Sequence, residues 1–158
     1  MPQPTKKRGR PRTQPMECYV FEIGEWKPSY ILSVNRQRDR TGAFYEHIDI
    51  EIQTLCIYPK KLAGRSAQFT LSGQRNCLTP TAYQRDPDWI PNCVGLLELP
   101  PTRGRFYTAV PHESLSALIT PLIHRLFHFV LLFGPPLSRG ASLCSSMQFE
   151  QTVDLEDY

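Results

Sequence analysis

His47-Ile48-Asp49-Ile50-Glu51-Ile52-Gln53 is the stretch whose reading decides the fold. Isoleucines at every second position, separated by polar residues, match a backbone whose side chains point to alternate faces. That pattern describes a half-buried antiparallel strand. After Thr54 the apolar positions move to Leu55 and Ile57, so a bulge or bend is expected there.

The same period extends in both directions. Upstream, Tyr19, Phe21 and Ile23 share one face, and Tyr30, Leu32 and Val34 make a second short set. Downstream, Ala67, Phe69 and Leu71 alternate with Gln68, Thr70 and Ser72. Residues 94–99 and 105–110 read as two further strands, joined through Pro100-Pro101 and Gly104. One helix is expected: Pro111 suits a first helical position, and Leu115, Leu118, Ile119, Leu122 and Ile123 follow helical spacing. Pro121 should kink or split it. Residues 127–133, aromatic and branched and ending in Gly134-Pro135-Pro136, read as a buried strand. Leu143, Ser145, Met147 and Phe149 alternate with polar positions and make its partner. The expected class is therefore α+β: a mainly antiparallel β-sheet or partial barrel with one helix in the C-terminal half, preceded by a disordered basic arm.

Composition agrees with one folded domain. In 158 residues, 41% hydrophobic and 11% aromatic content is enough for a core. Fifteen prolines and nine glycines cut the chain into short elements. The arm spans residues 1–17, the β-rich globular domain 18–151, and an acidic tail 152–158. Charge is segregated between them. Residues 1–15 carry Lys6, Lys7, Arg8, Arg10 and Arg12 and no acid, a net +5. Of the 18 basic and 15 acidic groups in the chain, the remainder then holds 13 and 15, a net −2. One segment, rather than the whole surface, is expected to meet a polyanion.

Five cysteines, Cys18, Cys56, Cys77, Cys93 and Cys144, are scattered, odd in number and never spaced C-x-x-C. Neither a disulfide framework nor a zinc finger is expected. The basic N-terminus lacks a following apolar run, and the longest apolar run, residues 129–133, is far short of a membrane span. An intracellular location without membrane contact is the simplest expectation.

The arm is the clearest functional signal. Arg8-Gly9-Arg10-Pro11, flanked by Lys6, Lys7 and Arg12, resembles the AT-hook motif of the high-mobility-group A chromatin proteins. The resemblance covers about seven residues and implies binding to AT-rich double-stranded DNA. The physics agrees. The minor groove is only ~6 Å wide and admits an extended backbone but no helix. Gly9 has no side chain to strike the groove floor, and the residue before Pro11 avoids the α region. Arg8 and Arg10 then diverge along the groove toward A·T acceptors, where narrow tracts concentrate negative potential. Lys6, Lys7 and Arg12 fall on phosphates. Short basic clusters also serve as solvated tails or transport signals, but those do not require the glycine and the proline. A single hook is weak, so the folded domain is expected to add a further contact, a partner or self-association.

Other constellations carry less. Arg36-Gln37-Arg38-Asp39-Arg40 has the spacing of PilZ-type cyclic-dinucleotide domains, with Arg36 and Arg40 as the phosphate contacts. Gln68-Phe69-Thr70-Leu71-Ser72-Gly73 loosely resembles their downstream segment, with Gln68 in place of an acid and Thr70 in place of a serine. A solvated hairpin loop explains the same arginines. A protein-interaction adaptor with a basic targeting tail is a further alternative. His124 and His128 stand four apart, which would pair them as metal ligands only on a helix; neither metal nor cofactor is expected. Ser72, Cys77, His112 and Ser114 lack the context of a nucleophile, and Tyr83, Asp86, Asp88 and Trp89 lie among turn-forming prolines. No enzyme is expected.

Overall fold

The computed structural model describes residues 15–34, 44–74 and 92–158. The isoleucine stretch lies in β2 (Phe44–Tyr58), which pairs antiparallel with β1 (Glu17–Val34) on one side and β3 (Ser66–Gln74) on the other. Ile50 and Ile52 are fully buried, and Ile48 packs on the same core. The expected switch of parity at Leu55 does not occur. Thr54 and Cys56 continue the buried face, at 5% and 0% exposure, while Leu55 is 42% exposed. Burial of Thr54 is possible because its Oγ1 donates to the Ala67 carbonyl at 2.9 Å, which satisfies the hydroxyl away from water. The ladder to β1 shifts twice: at Ile57, between the pairs Val20↔Tyr58 and Phe21↔Cys56, and beside Thr54, between Ile23↔Thr54 and Trp26↔Ile52.

Five more strands complete the sheet: β4 (Gly95–Glu98), β5 (Gly104–Pro111), β6 (Phe129–Gly134), β7 (Ala141–Cys144) and β8 (Ser146–Glu150). Their order is β7-β4-β5-β3-β2-β1-β6-β8. The sheet is mixed, which corrects the mainly antiparallel expectation: β3 and β5 run parallel, from Ala67↔Gly104 to Gln74↔Pro111. A parallel pair needs a crossover of a dozen or more residues, and the chain between Gln74 and Gly104 supplies one. The sheet is curled but not closed by a ladder. Its two edge strands, β7 and β8, are consecutive in the chain and separated only by Ser145, whose N–H donates to the Phe133 carbonyl at 2.7 Å.

Curling lets seven strands feed one core. Phe21 of β1, Phe69 of β3 and Phe106 of β5 meet inside, with ring centroids 4.8 and 5.0 Å apart. Tyr19, Leu97, Val130, Leu132 and Cys144 join the same cluster. Truncating any one of the three phenylalanines to alanine should cost about 3–5 kcal/mol. The helix α1 (His112–Ile123) packs on this core through Leu115 and Leu122, both buried, with Leu118 and Ile119 partly so. Pro111 is its N-cap residue rather than its first helical one.

Pro121 does not split the helix, against expectation. It stands in the last turn, where few hydrogen bonds remain to lose. The end is closed by paired bonds, Arg125 N to Leu122 O at 3.1 Å and Leu126 N to Pro121 O at 2.9 Å, with Arg125 left-handed at φ 52°.

Two expected apolar sets turn outward. Tyr30, Leu32 and Val34 are exposed and belong to the same long strand as Tyr19. Beyond Glu22 the β6 pairing ends, and β3 reaches β2 only as far as Ile48, so the tip of the β1–β2 hairpin has no layer to bury against. In β7 the buried residues are Ser142 and Cys144, and Leu143 is exposed; the break at Ser145 resets the alternation before Met147 and Phe149, which pack inward. β8 is nonetheless the partner of β6, as the pattern implied.

The outer face of β1 and β6 is also covered. Cys18, Val20 and Leu131 form a second buried cluster against which Val153 packs. Tyr58 donates its hydroxyl to the Tyr158 main-chain oxygen at 2.7 Å, and the Tyr158 ring lies 6.0 Å from that of Phe133.

Candidate functional site

Strand register gathers several loops at one end of the curled sheet. β1 begins there with the pair Glu17↔Gly134. The 59–65 loop between β2 and β3, the 99–103 loop between β4 and β5, and the 135–140 loop before β7 open at the same end. Pro15, the first residue described, lines a groove together with Pro135, Pro136, Ser138, Ala141, Ser142 and Leu143. The root of the N-terminal arm is therefore set against the 135–143 segment.

On the other side of that segment lies a cleft of about 670 Å³ bounded by Arg65, Glu98, Arg103, Arg105, Arg139 and the Pro100-Pro101 turn. Ala141 borders both the cleft and the groove that Pro15 helps to line. Four guanidiniums face one carboxylate, a net +3. Each arginine is placed by a different element. Arg65, half-buried, donates from Nη1 to the Leu99 carbonyl at 2.9 Å, which ties two loops together. Arg103 bridges two amides through Nη2, at 3.0 Å from Gln53 Oε1 and 2.9 Å from Gln68 Oε1. Arg105 bonds Glu98 through its Nε, and that bond holds the Glu98 carboxyl below the usual carboxylate range.

Arg139 sits at the tip of a two-residue turn closed by Ser138 N to Ala141 O at 2.9 Å and Ala141 N to Ser138 O at 3.0 Å. Arg139 and Gly140 both have positive φ, 52° and 81°, the backbone of a type I′ turn. Asparagine or glycine is the usual occupant of the first of these positions; here it presents a cation.

The outer face beneath the cleft is ordered by register. Gln53, Gln68, Arg105, Glu98 and Ala141 stand side by side across β2, β3, β5, β4 and β7. The next rank, two residues along, places Tyr107, Leu96 and Leu143 together, all exposed. Among the described residues no carboxylate lies within ion-pair distance of Arg65, Arg103 or Arg139. Arg65 and Arg103 donate to neutral oxygens instead. Near the arm root Glu17 is already engaged, accepting from Lys61 Nζ at 2.6 Å.

Lys6, Lys7, Arg8, Gly9, Arg10, Pro11 and Arg12 lie outside the described residues, as do Arg36, Arg40, Cys77, Tyr83, Asp86, Asp88 and Trp89. The strand ends that flank residues 35–43, Val34 and Phe44, pair with each other at the end of the sheet opposite the arginine cleft, whereas Gln68 belongs to that cleft's rank. Ser72 is buried within β3, and His112 and Ser114 form the first turn of α1. α1 ends at Ile123, so His124, its C-cap, and His128, whose N–H donates to Glu150 O at 2.9 Å, share no helical face.

The four arginines were not singled out from sequence, because positions 65, 103, 105 and 139 are distant along the chain. One local signal was present: Arg103-Gly104-Arg105 repeats the Arg-Gly-Arg triplet of residues 8–10. Among the described residues no helix is long and apolar enough to cross a membrane. No family model, curated protein or solved structure matches the chain.

Proposed function

We propose that this is a DNA-associated, non-enzymatic protein that lays its N-terminal arm, residues 6–12, in the minor groove of AT-rich duplex DNA. Arg8 and Arg10 read the groove and Lys6, Lys7 and Arg12 rest on phosphates. Pro15, from which the arm leads, lies beside the arginine cleft, while Glu17 and the acidic C-terminal segment stand at the same end of the sheet. The observation that carries this reading is the position of Pro15, whose groove shares Ala141 with the arginine cleft. A polyanion engaged by the arm would thus meet the arginine cleft, whose charge is opposite to its own.

A competition gel shift with the full chain tests the reading. An AT-rich duplex should displace labelled AT-rich probe at lower concentration than a GC-rich duplex of equal length. The double variant Arg8→Ala, Arg10→Ala should lose that preference while its circular dichroism is unchanged. Equal competition by both duplexes with the wild-type chain overturns the proposal.

A further inference from the structure

We infer that the cleft formed by Arg65, Arg103, Arg105 and Arg139 is a phosphate-binding site, and that it seats a backbone phosphate of the same DNA that the arm engages. The inference rests in its second part on the function proposed above; the first part stands without it.

Three guanidiniums with no carboxylate partner among the described residues share one concavity with the Arg105–Glu98 pair. Like charges gathered in a cleft repel, and the field between its walls is focused where an anion is attracted. Guanidinium forks match the tetrahedral oxygens of phosphate, donating two parallel bonds where an ammonium gives a point charge. The cations are also preorganised. Arg65 is held by the Leu99 carbonyl and Arg103 by Gln53 and Gln68, while the left-handed turn fixes only the backbone of Arg139. Less side-chain freedom is then lost on binding. The cleft is partly open to solvent and is not an enclosed pocket.

Tethering selects the source of the phosphate. Only three residue steps separate Arg12 from Pro15, a reach of at most about 11 Å when extended. Any duplex held by the arm therefore presents its backbone to the cleft at high effective concentration. The two contacts act as one bipartite grip.

Two readouts separate the site from the arm. Thermal unfolding of the full chain is followed with inorganic pyrophosphate, and anisotropy of a labelled AT-rich duplex is followed across a salt series. Arg103 and Arg139 are exposed, so the variant Arg103→Gln, Arg139→Gln should keep the wild-type melting temperature without ligand. Pyrophosphate should raise that temperature for the wild type and for Arg8→Ala, Arg10→Ala, but not for the cleft variant. Duplex affinity should fall at least tenfold in the cleft variant, and the slope of log K against log salt should lose about 1.8, with the AT preference retained. The arm alone accounts for a slope no steeper than about −4.5.

Absence of any pyrophosphate shift, with duplex affinity and slope unchanged in the cleft variant, overturns the inference. A pyrophosphate shift without an effect on duplex binding overturns the DNA assignment and leaves a site for free phosphates. Loss of AT preference in the wild type is a failure of the arm reading alone, because the pyrophosphate experiment does not depend on it.

Discussion

The Tyr19 hydroxyl donates to the main-chain carbonyl of Pro135 at 2.8 Å across 116 positions of sequence. The Ser142 hydroxyl donates to the same carbonyl at 2.7 Å. One oxygen thus fastens the start of β1, the end of β6 and the start of β7, and it fixes the root of the 135–141 loop that carries Arg139. Glu17 Oε2 lies 3.0 Å from the same phenol, and burial followed by this carboxylate pushes the Tyr19 hydroxyl above the ordinary tyrosine range.

Tyr19→Phe removes that bond while keeping the ring in the core. The expected loss is about 1–2 kcal/mol, the usual cost of deleting one partner of a buried hydrogen bond. Ser142→Ala should cost less, because either variant leaves the Pro135 carbonyl one donor and only Tyr19→Phe also removes the contact to Glu17. Urea unfolding of both variants checks the ranking; a Tyr19→Phe protein as stable as wild type would contradict it.

Gly95→Ala tests the closeness of β4 and β5. A methyl group at Gly95 would come within 2.5 Å of the Phe106 ring and 2.6 Å of the Tyr107 carbonyl. The ring is wedged against Phe69 and the carbonyl is part of the strand ladder, so neither yields cheaply. Overpacking of this kind should cost about 2–3 kcal/mol. A lowered urea midpoint with retained cooperativity is the expected result, and an unchanged midpoint would place the two strands farther apart than described.

Alkaline pH should weaken the fold through its buried thiols. Burial pushes Cys18, Cys56 and Cys144 each up to about 11 from an ordinary value of 9.0. Below about pH 9 these thiols are protonated in both folded and unfolded chains, and the stability they confer is complete. Between pH 9 and 11 the unfolded chain releases their protons and the folded chain does not. Stability then falls by up to about 1 kcal/mol per pH unit for each thiol. A urea midpoint flat from pH 6 to 9 and declining toward 11 is expected; one that stayed flat to pH 11 would mean the thiols are not buried.

Much of the fold was legible in local pattern. The alternation of Ile48, Ile50 and Ile52 placed β2, that of Ala67, Phe69 and Leu71 placed β3, and the spacing of Leu115, Leu118, Ile119 and Leu122 placed α1. Where the pattern misled, a non-local partner decided. Leu55 is more apolar than Thr54, yet Thr54 is inside because the Ala67 carbonyl receives its hydroxyl. Tyr30, Leu32 and Val34 alternate as well as Tyr19 and Phe21 do, yet they are exposed because neither β3 nor β6 extends to them.

What the sequence by itself determined was the kind of each element and the segregation of positive charge into residues 6–12. Both follow from neighbours a few positions apart, whose preferences survive without the rest of the chain. Only the tertiary structure decided that β3 and β5 lie parallel and that Arg65, Arg103, Arg105 and Arg139 line one cleft beside the root of the arm. Strand register in a curled sheet brings together residues that no local period relates, so the cleft exists only once the long-range pairings are made.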